Sequence, residues 1–331
     1  MFVVLVLVLV VLYIAPFIFR EKVYFMPVKS HSGYTPADDE IPFENCFFSS
    51  ELESYKNGTR TEQERLRKSG IVCGEGGHFP LQKTNNKTTY YHAWLMKNAK
   101  KRKRDTKVVL FCHGNYGNMS FFGGFYPHTW NLDLHSVSTD DAPGDHHVFA
   151  FDYAGYGKSQ GRPVIKDFLQ SCRAAHGALL AMGYREENII PYGFSIGSCA
   201  ASYIASISEG KIEKVVLLAP FYAVRELFPT VYSPMKWFER HLDTNAYLNK
   251  WMTDKKKNNN SKRENSADIL IGYSPKDEII PAWHAKKLCD NINNLHPNSC
   301  VLTSLRGCHN TLQINGDLVS IVKKVVAGNG M

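Results

Sequence analysis

Gly193-Phe194-Ser195-Ile196-Gly197 has the form G-x-S-x-G. A serine hydroxyl is a poor nucleophile near neutral pH. It becomes a good one when a base takes its proton and an acid orients that base. The five residues follow an apolar run, Asn188 to Tyr192, and precede a small-residue helix, Ser198 to Ser206. A strand, a glycine-flanked serine and a helix make a sharp turn that lifts the hydroxyl to the carboxyl end of a sheet. The flanking glycines let strand and helix approach closely. The plainer reading of Ser195 is a turn serine.

The remaining chemistry is expected downstream in the order acid, then base. The run Asp268 to Tyr273 reads as a strand and opens into Ser274-Pro275-Lys276-Asp277-Glu278-Ile279-Ile280-Pro281. Asp277 is the expected acid and Glu278 its neighbouring rival. Asp277 would also serve as a cap for the helix Ala282 to Asn293. A second run, Cys300 to Leu305, ends in Arg306-Gly307-Cys308-His309-Asn310, and His309 is the expected base. Each candidate follows the carboxyl end of its own strand, and in a parallel sheet those ends share one edge. Two backbone amides, of Asn115 and Ile196, are the expected oxyanion donors. Asn115 lies in His113-Gly114-Asn115-Tyr116-Gly117-Asn118, directly after the apolar strand Lys107 to Cys112. Otherwise His113-Gly114 is a plain β–α turn with a buried histidine.

With these motifs the chain resembles the α/β-hydrolases of the budding-emergence (BEM) type, membrane-anchored serine hydrolases. The carrying residues are Phe111 to Asn118, Asp152-Tyr153-Ala154-Gly155-Tyr156-Gly157-Lys158-Ser159, the Ser195 turn, the Asp277 loop and Gly307 to Asn310. Ile41 to Asn45 resembles the family's entry into its first strand. The resemblance implies an α/β-hydrolase fold: a mostly parallel sheet, helices on both faces and a small helical lid. It also implies hydrolysis of esters or thioesters, with protein depalmitoylation and lysolipid hydrolysis both represented nearby. One departure is Ala154, where the family's D-x-R-G-x-G-x-S stretch carries arginine.

The elements that must position these residues are spaced accordingly. Strands are expected near Cys46 to Ser49, Thr88 to Met96, Lys107 to Cys112, His147 to Asp152, Asn188 to Gly193, Lys214 to Pro220, Asp268 to Gly272 and Cys300 to Leu305. A helix is expected over Val164 to Met182. Alternating strands and helices argue for an α/β domain, here 41–331. At 331 residues with 44% apolar composition, the chain can bury one large core. Two stretches, 52–87 and 119–146, enlarge links between strands and are placed to reshape the entrance or recruit a partner. The lid is expected at about 221–265. Its apolar residues, among them Phe221, Tyr222, Phe228, Trp237, Leu242 and Trp251, suit either an acyl-chain groove or self-packing.

Phe2 to Phe19 carries no charge, and Arg20 and Lys22 follow at once. This length is at the lower edge of what spans a bilayer. Residues 1–22 are expected to be a single-pass anchor. The rival is a signal peptide, but a basic n-region and a small-x-small cleavage site are lacking. The basic residues after the segment place the catalytic domain on the cytosolic side. Four glycosylation sequons, at Asn57, Asn86, Asn118 and Asn259, pull the other way. Eight cysteines without a C-x-x-C pair leave the compartment open, and Cys112, Cys172 and Cys199 read as buried apolar residues.

The net charge of +8 is concentrated in Lys97 to Lys107 and Lys255 to Arg263. Both tracts enter strands from their amino ends, opposite Ser195, and read as solvated loops or membrane-surface contacts. Nucleic acid is not expected as a partner, since no aromatic interleaving or nucleic-acid module accompanies them. The acidic and histidine residues His128, Asp133, His135, Asp140, Asp141, Asp145, His146 and His147 lack metal-ligand spacing, so no metal is expected. No Walker loop or dinucleotide fingerprint appears, and no cofactor is expected. The expected activity is acyl transfer from an acyl-containing small molecule or acylated protein, through Ser195, His309 and Asp277. The types envisaged are acyl-protein thioesterase and lysophospholipase or monoacylglycerol lipase. The rivals are a serine aminopeptidase, which needs an anionic pocket for a free amino terminus, and a catalytically silent membrane-tethered scaffold.

Overall fold

The computed structural model describes residues 25–29, 43–74, 88–97, 106–122, 146–227, 241–258 and 267–312. Along the chain these form β1 (Met26–Pro27), β2 (Phe43–Ser49), α1 (Arg60–Ser69), β3 (Ile71–Gly74), β4 (Tyr90–Lys97), β5 (Lys107–Cys112), β6 (Tyr116–Gly117) and β7 (His146–Phe151). There follow α2 (Ile165–Ala181), β8 (Ile189–Phe194), α3 (Ile196–Ile207), β9 (Val215–Leu218), α4 (Thr244–Lys257), β10 (Ile269–Tyr273), α5 (Trp283–Leu295) and β11 (Cys300–Ser304). Nine strands make one sheet in the order β11-β10-β9-β8-β5-β7-β4-β2-β3. From β11 to β7 all neighbours are parallel; β4, β2 and β3 add on antiparallel.

The sheet reads as nearly continuous apolar runs because its central strands are covered on both faces. In β5, Val108, Leu110 and Cys112 enter one core while Val109 and Phe111 enter the other. This is the two-residue alternation of a strand. The chain passes from β5 to β7 on one side and returns to β8 on the other. Such a reversal opens a crevice outside the carboxyl ends of the two strands. The Ser195 turn and the His113 loop therefore emerge side by side.

The expected strands all form, with no end moved by more than three residues. Neither α1 nor β3 was expected, although Thr59-x-x-Glu62 is a helix-start signature. Both lie within the stretch 52–87. A 3-10 helix, Ser50–Asn57, lies on α2 so closely that a Cβ at Gly177 would stand 1.9 Å from the Leu52 carbonyl oxygen. Lys56 reaches Glu186 at 3.0 Å and the Ile207 carbonyl at 3.2 Å. Those partners mark the amino edge of the sheet, opposite Ser195. Thr59 and Glu62 form a capping box that starts α1. β3 then adds to β2, and Cys46 is disulfide-bonded to its register partner Cys73. Of the stretch 119–146, only 119–122 and 146 are described.

Two further expectations are decided. Lys255 is not a solvated charge: it is buried, and it donates to the Glu213 carbonyl (2.8 Å) and Asp268 (2.5 Å). Trp251 follows the self-packing alternative rather than the acyl groove. It is fully buried on α4 and donates to the Ile212 carbonyl at 3.1 Å, again at the amino edge. Phe228, Trp237 and the rest of 228–240 lie outside the described residues. So do residues 1–24, with the expected anchor, and 98–105 and 259–266, with most of both basic tracts. Among the described residues, no helix is long and apolar enough to cross a membrane.

Candidate active site

Ser195 stands at the junction of β8 and α3 with φ 57° and ψ −121°. A side-chain-bearing residue at positive φ costs on the order of 1–3 kcal/mol and persists only where its surroundings enforce it. Here they do. A Cβ at Gly193 would stand 2.1 Å from the Gly197 carbonyl oxygen, and one at Gly197 would stand 2.0 Å from that of Cys112. Only glycine at both positions lets α3 turn back this sharply across β8 and β5. The turn is further tied to β9, since the Ser195 amide and the Ser198 hydroxyl both donate to the Leu218 carbonyl, each at 2.9 Å.

His309 and Asp277 converge on this serine. His309 Nε2 lies 3.1 Å from Ser195 Oγ, and His309 Nδ1 lies 2.7 Å from Asp277 Oδ2. The other carboxylate oxygen, Oδ1, accepts from the amides of Ile279 (3.0 Å) and Ile280 (2.7 Å). All three side chains are buried. Glu278 does not reach the imidazole in this arrangement. Its Oε2 accepts from the His309 backbone amide at 3.0 Å, a bond that holds its carboxyl below the ordinary range. The two loops are also joined directly, by Ser274 Oγ donating to the Gly307 carbonyl at 2.5 Å. The Phe194 ring lies 5.1 Å from the imidazole of His309.

Sequence reasoning missed Phe194 and Ser274 and cast Glu278 only as a rival acid. For Glu278 the one available signal was adjacency to Asp277, and it does not distinguish an acid from a backbone clamp.

The loop after β5 is held from three sides. His113 is fully buried, and its Nδ1 lies 2.7 Å from the Gly114 carbonyl oxygen. Because a carbonyl can only accept, Nδ1 carries the proton. Tyr153 donates to the His113 carbonyl at 2.8 Å. Asn115 Oδ1 accepts from the Met26 amide and the Tyr156 hydroxyl, each at 3.1 Å. Asp152 is buried below, and its Oδ1 accepts from the Met119 amide at 2.7 Å. Burial alone would raise its carboxyl; the approach of His92 and His113, with the Met119 amide, holds it low instead. Burial also lowers both histidines. Ile196 is the first residue of α3, where backbone amides have no partner within the helix. Of the unpatterned histidines, His146 and His147 are buried at the start of β7, away from Ser195. The one described group close enough to share a cation is Glu44, Cys46 and Cys73, and the disulfide takes both thiols.

A doubly covered, mostly parallel sheet with a strained serine between strand and helix defines an α/β-hydrolase. The sequence matches the family described as "Serine aminopeptidase, S33" (Hydrolase_4) over residues 103–273, just over half of the chain. The chain belongs to that family.

It is 25% identical over 240 residues to the "Uncharacterized membrane protein YNL320W" of Saccharomyces cerevisiae, covering 72% of this chain and 75% of the yeast protein. It is 27% identical over 222 residues to human "Alpha/beta hydrolase domain-containing protein 17B", covering 66% of each. Among solved structures, the Pyrococcus furiosus esterase Pf2001 superposes with a TM-score of 0.57 at 15% identity, covering 93% of this chain and 98% of the esterase. An α/β-hydrolase of Vibrio vulnificus gives 0.53 at 14% identity, covering 84% of this chain and 91% of its own. These likenesses to solved structures carry the fold.

Proposed function

We propose that the chain is a serine hydrolase that cleaves ester or thioester bonds of lipid or acylated-protein substrates through a covalent acyl-enzyme. The observation carrying this is the relay in which His309 Nε2 stands 3.1 Å from Ser195 Oγ while Nδ1 stands 2.7 Å from Asp277. His309 takes the serine proton as Oγ attacks the carbonyl carbon. Asp277 holds the tautomer that leaves Nε2 free to accept and then stabilises the imidazolium. The amides of Ile196 and Asn115 receive the developing oxyanion. His309 next protonates the leaving alcohol or thiol, and afterwards takes a proton from the water that releases the acid.

A lipid or acylated substrate, rather than a free peptide, is favoured by the apolar segment Phe2 to Phe19, proposed as a membrane anchor. The yeast relative's description as a membrane protein points the same way. The test pairs a fluorophosphonate probe with a panel of acyl thioesters, monoacylglycerols, lysophospholipids and aminoacyl amides. Labelling lost in Ser195→Ala and turnover of acyl substrates are expected. Labelling retained in that variant removes the nucleophile, and turnover confined to aminoacyl amides makes the protein a peptidase.

A further inference from the structure

Seven large apolar side chains are exposed among the described residues, and they are unevenly placed. Met26, Tyr116, Phe121, Ile279 and Trp283 lie at the carboxyl edge of the sheet, the edge that carries Ser195. Val72 lies on the outer strand β3, and Leu295 at the far end of α5. Three of the five form one surface. β1 pairs in parallel with β6, with Met26 opposite Tyr116. Directly paired residues project from the same face of a ladder. The Tyr116 and Phe121 rings then meet edge to face at 5.7 Å. Met26 is 50% exposed, Tyr116 62% and Phe121 43%. Side chains of this size are costly to leave in water unless something covers them.

The same segment joins this surface to the rest of the chain. Phe25 is buried against Phe168, with ring centroids 5.2 Å apart. The Val28 amide donates to the Gly117 carbonyl at 3.1 Å, and its carbonyl accepts from Gly157 at 3.0 Å and from Asn118 Nδ2 at 2.9 Å. Lys29 Nζ donates to the Ser159 carbonyl at 3.0 Å. Residues 25–29 are thus fastened to the loops beside the serine. The uncharged run Phe2 to Phe19 ends seven residues before Met26. Seven extended residues reach at most roughly 25 Å. Tyrosine is also a residue enriched at membrane–water interfaces.

We propose that Met26, Tyr116 and Phe121 rest in the interfacial layer of a lipid bilayer, seating the mouth of the site on the membrane that holds the anchor. The inference rests on the anchor in the proposed function and adds that the domain has a fixed face toward the lipid. A tether alone would let the domain tumble; a tether continuous with an apolar face does not. A substrate acyl chain could then pass from bilayer to Ser195 without crossing water. The Met26 amide also bonds Asn115, so the seated segment is the one that holds the proposed oxyanion loop.

The test uses the full chain carrying Ser195→Ala and Cys308→Ser, in vesicles of phosphatidylcholine and phosphatidylserine. Cys308 is the exposed free thiol among the described residues. A nitrobenzoxadiazole label is placed by Phe121→Cys, with Tyr116→Cys as the second position and Val72→Cys and Leu295→Cys as references. Nitroxide lipids should quench the first two at least fivefold more than the references. Equal quenching at all four in vesicle-bound protein overturns the seated face while leaving the anchor. Shielding of position 121 from iodide without lipid quenching also overturns it and indicates a second copy or another protein. Failure to float with vesicles removes anchor and seat together. Because Ser195→Ala cannot hydrolyse, the readout is independent of whether any acyl substrate is turned over.

Discussion

The Asp277 carboxylate divides its oxygens between two tasks: Oδ2 meets His309 Nδ1 at 2.7 Å, while Oδ1 is fixed by the Ile279 and Ile280 amides at 3.0 and 2.7 Å. This division makes Asp277→Asn informative. With the amide oxygen kept on the two backbone donors, its NH2 group faces Nδ1. The imidazole must then move its proton to Nε2, which can no longer accept from Ser195. Turnover should fall on the order of 10³–10⁴-fold with KM little changed. Glu278→Gln still accepts from the His309 amide and should cost less than about tenfold. Steady-state kinetics on one chromogenic ester decide the matter. A larger loss in Glu278→Gln than in Asp277→Asn would reverse the assignment.

The glycines around Ser195 differ in kind from Gly183. Gly193→Ala and Gly197→Ala place a methyl within 2.1 and 2.0 Å of backbone carbonyl oxygens, which no side-chain rotation relieves. Gly183 has φ +96°, but a methyl there would meet nothing within 4 Å, so Gly183→Ala carries backbone strain alone, about 1–2 kcal/mol. All three should lower the thermal midpoint. Fluorophosphonate labelling of the folded fraction should be lost in the first two and kept in Gly183→Ala. Normal labelling of folded Gly193→Ala would show that the turn tolerates a wider path.

Much of this arrangement was legible because it is local. The G-x-S-x-G turn, and Asp277 and His309 just past apolar runs, each depend on a few neighbouring residues. Their convergence follows from parallel strands sharing one edge. What was not legible depends on distant partners. β3 is a four-residue strand that exists by pairing with β2 and the Cys46–Cys73 bond. β1 is two residues long and exists only against β6. Lys255 sits in a basic run whose composition says solvent, yet Asp268 and the Glu213 carbonyl draw it inside. Trp251 suited a groove or self-packing equally by composition, and its partner, the Ile212 carbonyl at the other edge, decides for packing. No periodicity within any of these segments encodes those partners.

The Cys46–Cys73 bond closes a loop with a sequence separation of 27, and six other cysteines are free. Alkylation of the denatured, unreduced protein should therefore modify six thiols, rising to eight after reduction. Cys46→Ser should lower stability by about 2–4 kcal/mol, read from denaturant midpoints. Eight thiols without reductant, in protein taken from its native membrane, would mean the bond does not form there. The count also bears on sidedness, because structural disulfides persist in oxidising compartments. Six thiols in such protein would run against the cytosolic placement that Arg20 and Lys22 suggest. Asn118 does not bear on this: its side chain is buried and bonded to Val28 and Ser120.

Acid sensitivity should come from histidines held neutral. Burial pushes His284 down to about 4, and its Nδ1 accepts from the Tyr222 amide at 3.3 Å while its ring stacks on Trp283. In the unfolded chain the same imidazole titrates near 6.5. Between these values the unfolded state binds more protons than the folded one, so stability rises with pH across that window. The contribution is fully present above about 6.5 and is lost as pH falls through about 4. His92 and His113, also lowered by burial, act with the same sign. Each such group adds at most about 1.4 kcal/mol per pH unit to the slope. The wild-type thermal midpoint should therefore fall as pH is lowered from 7 to 5. His284→Asn keeps an acceptor for the Tyr222 amide and removes one titrating ring, so its midpoint should fall less steeply. If the two slopes coincide, His284 is protonated in the folded protein without penalty, and the acid sensitivity has to be carried by the pair flanking Asp152.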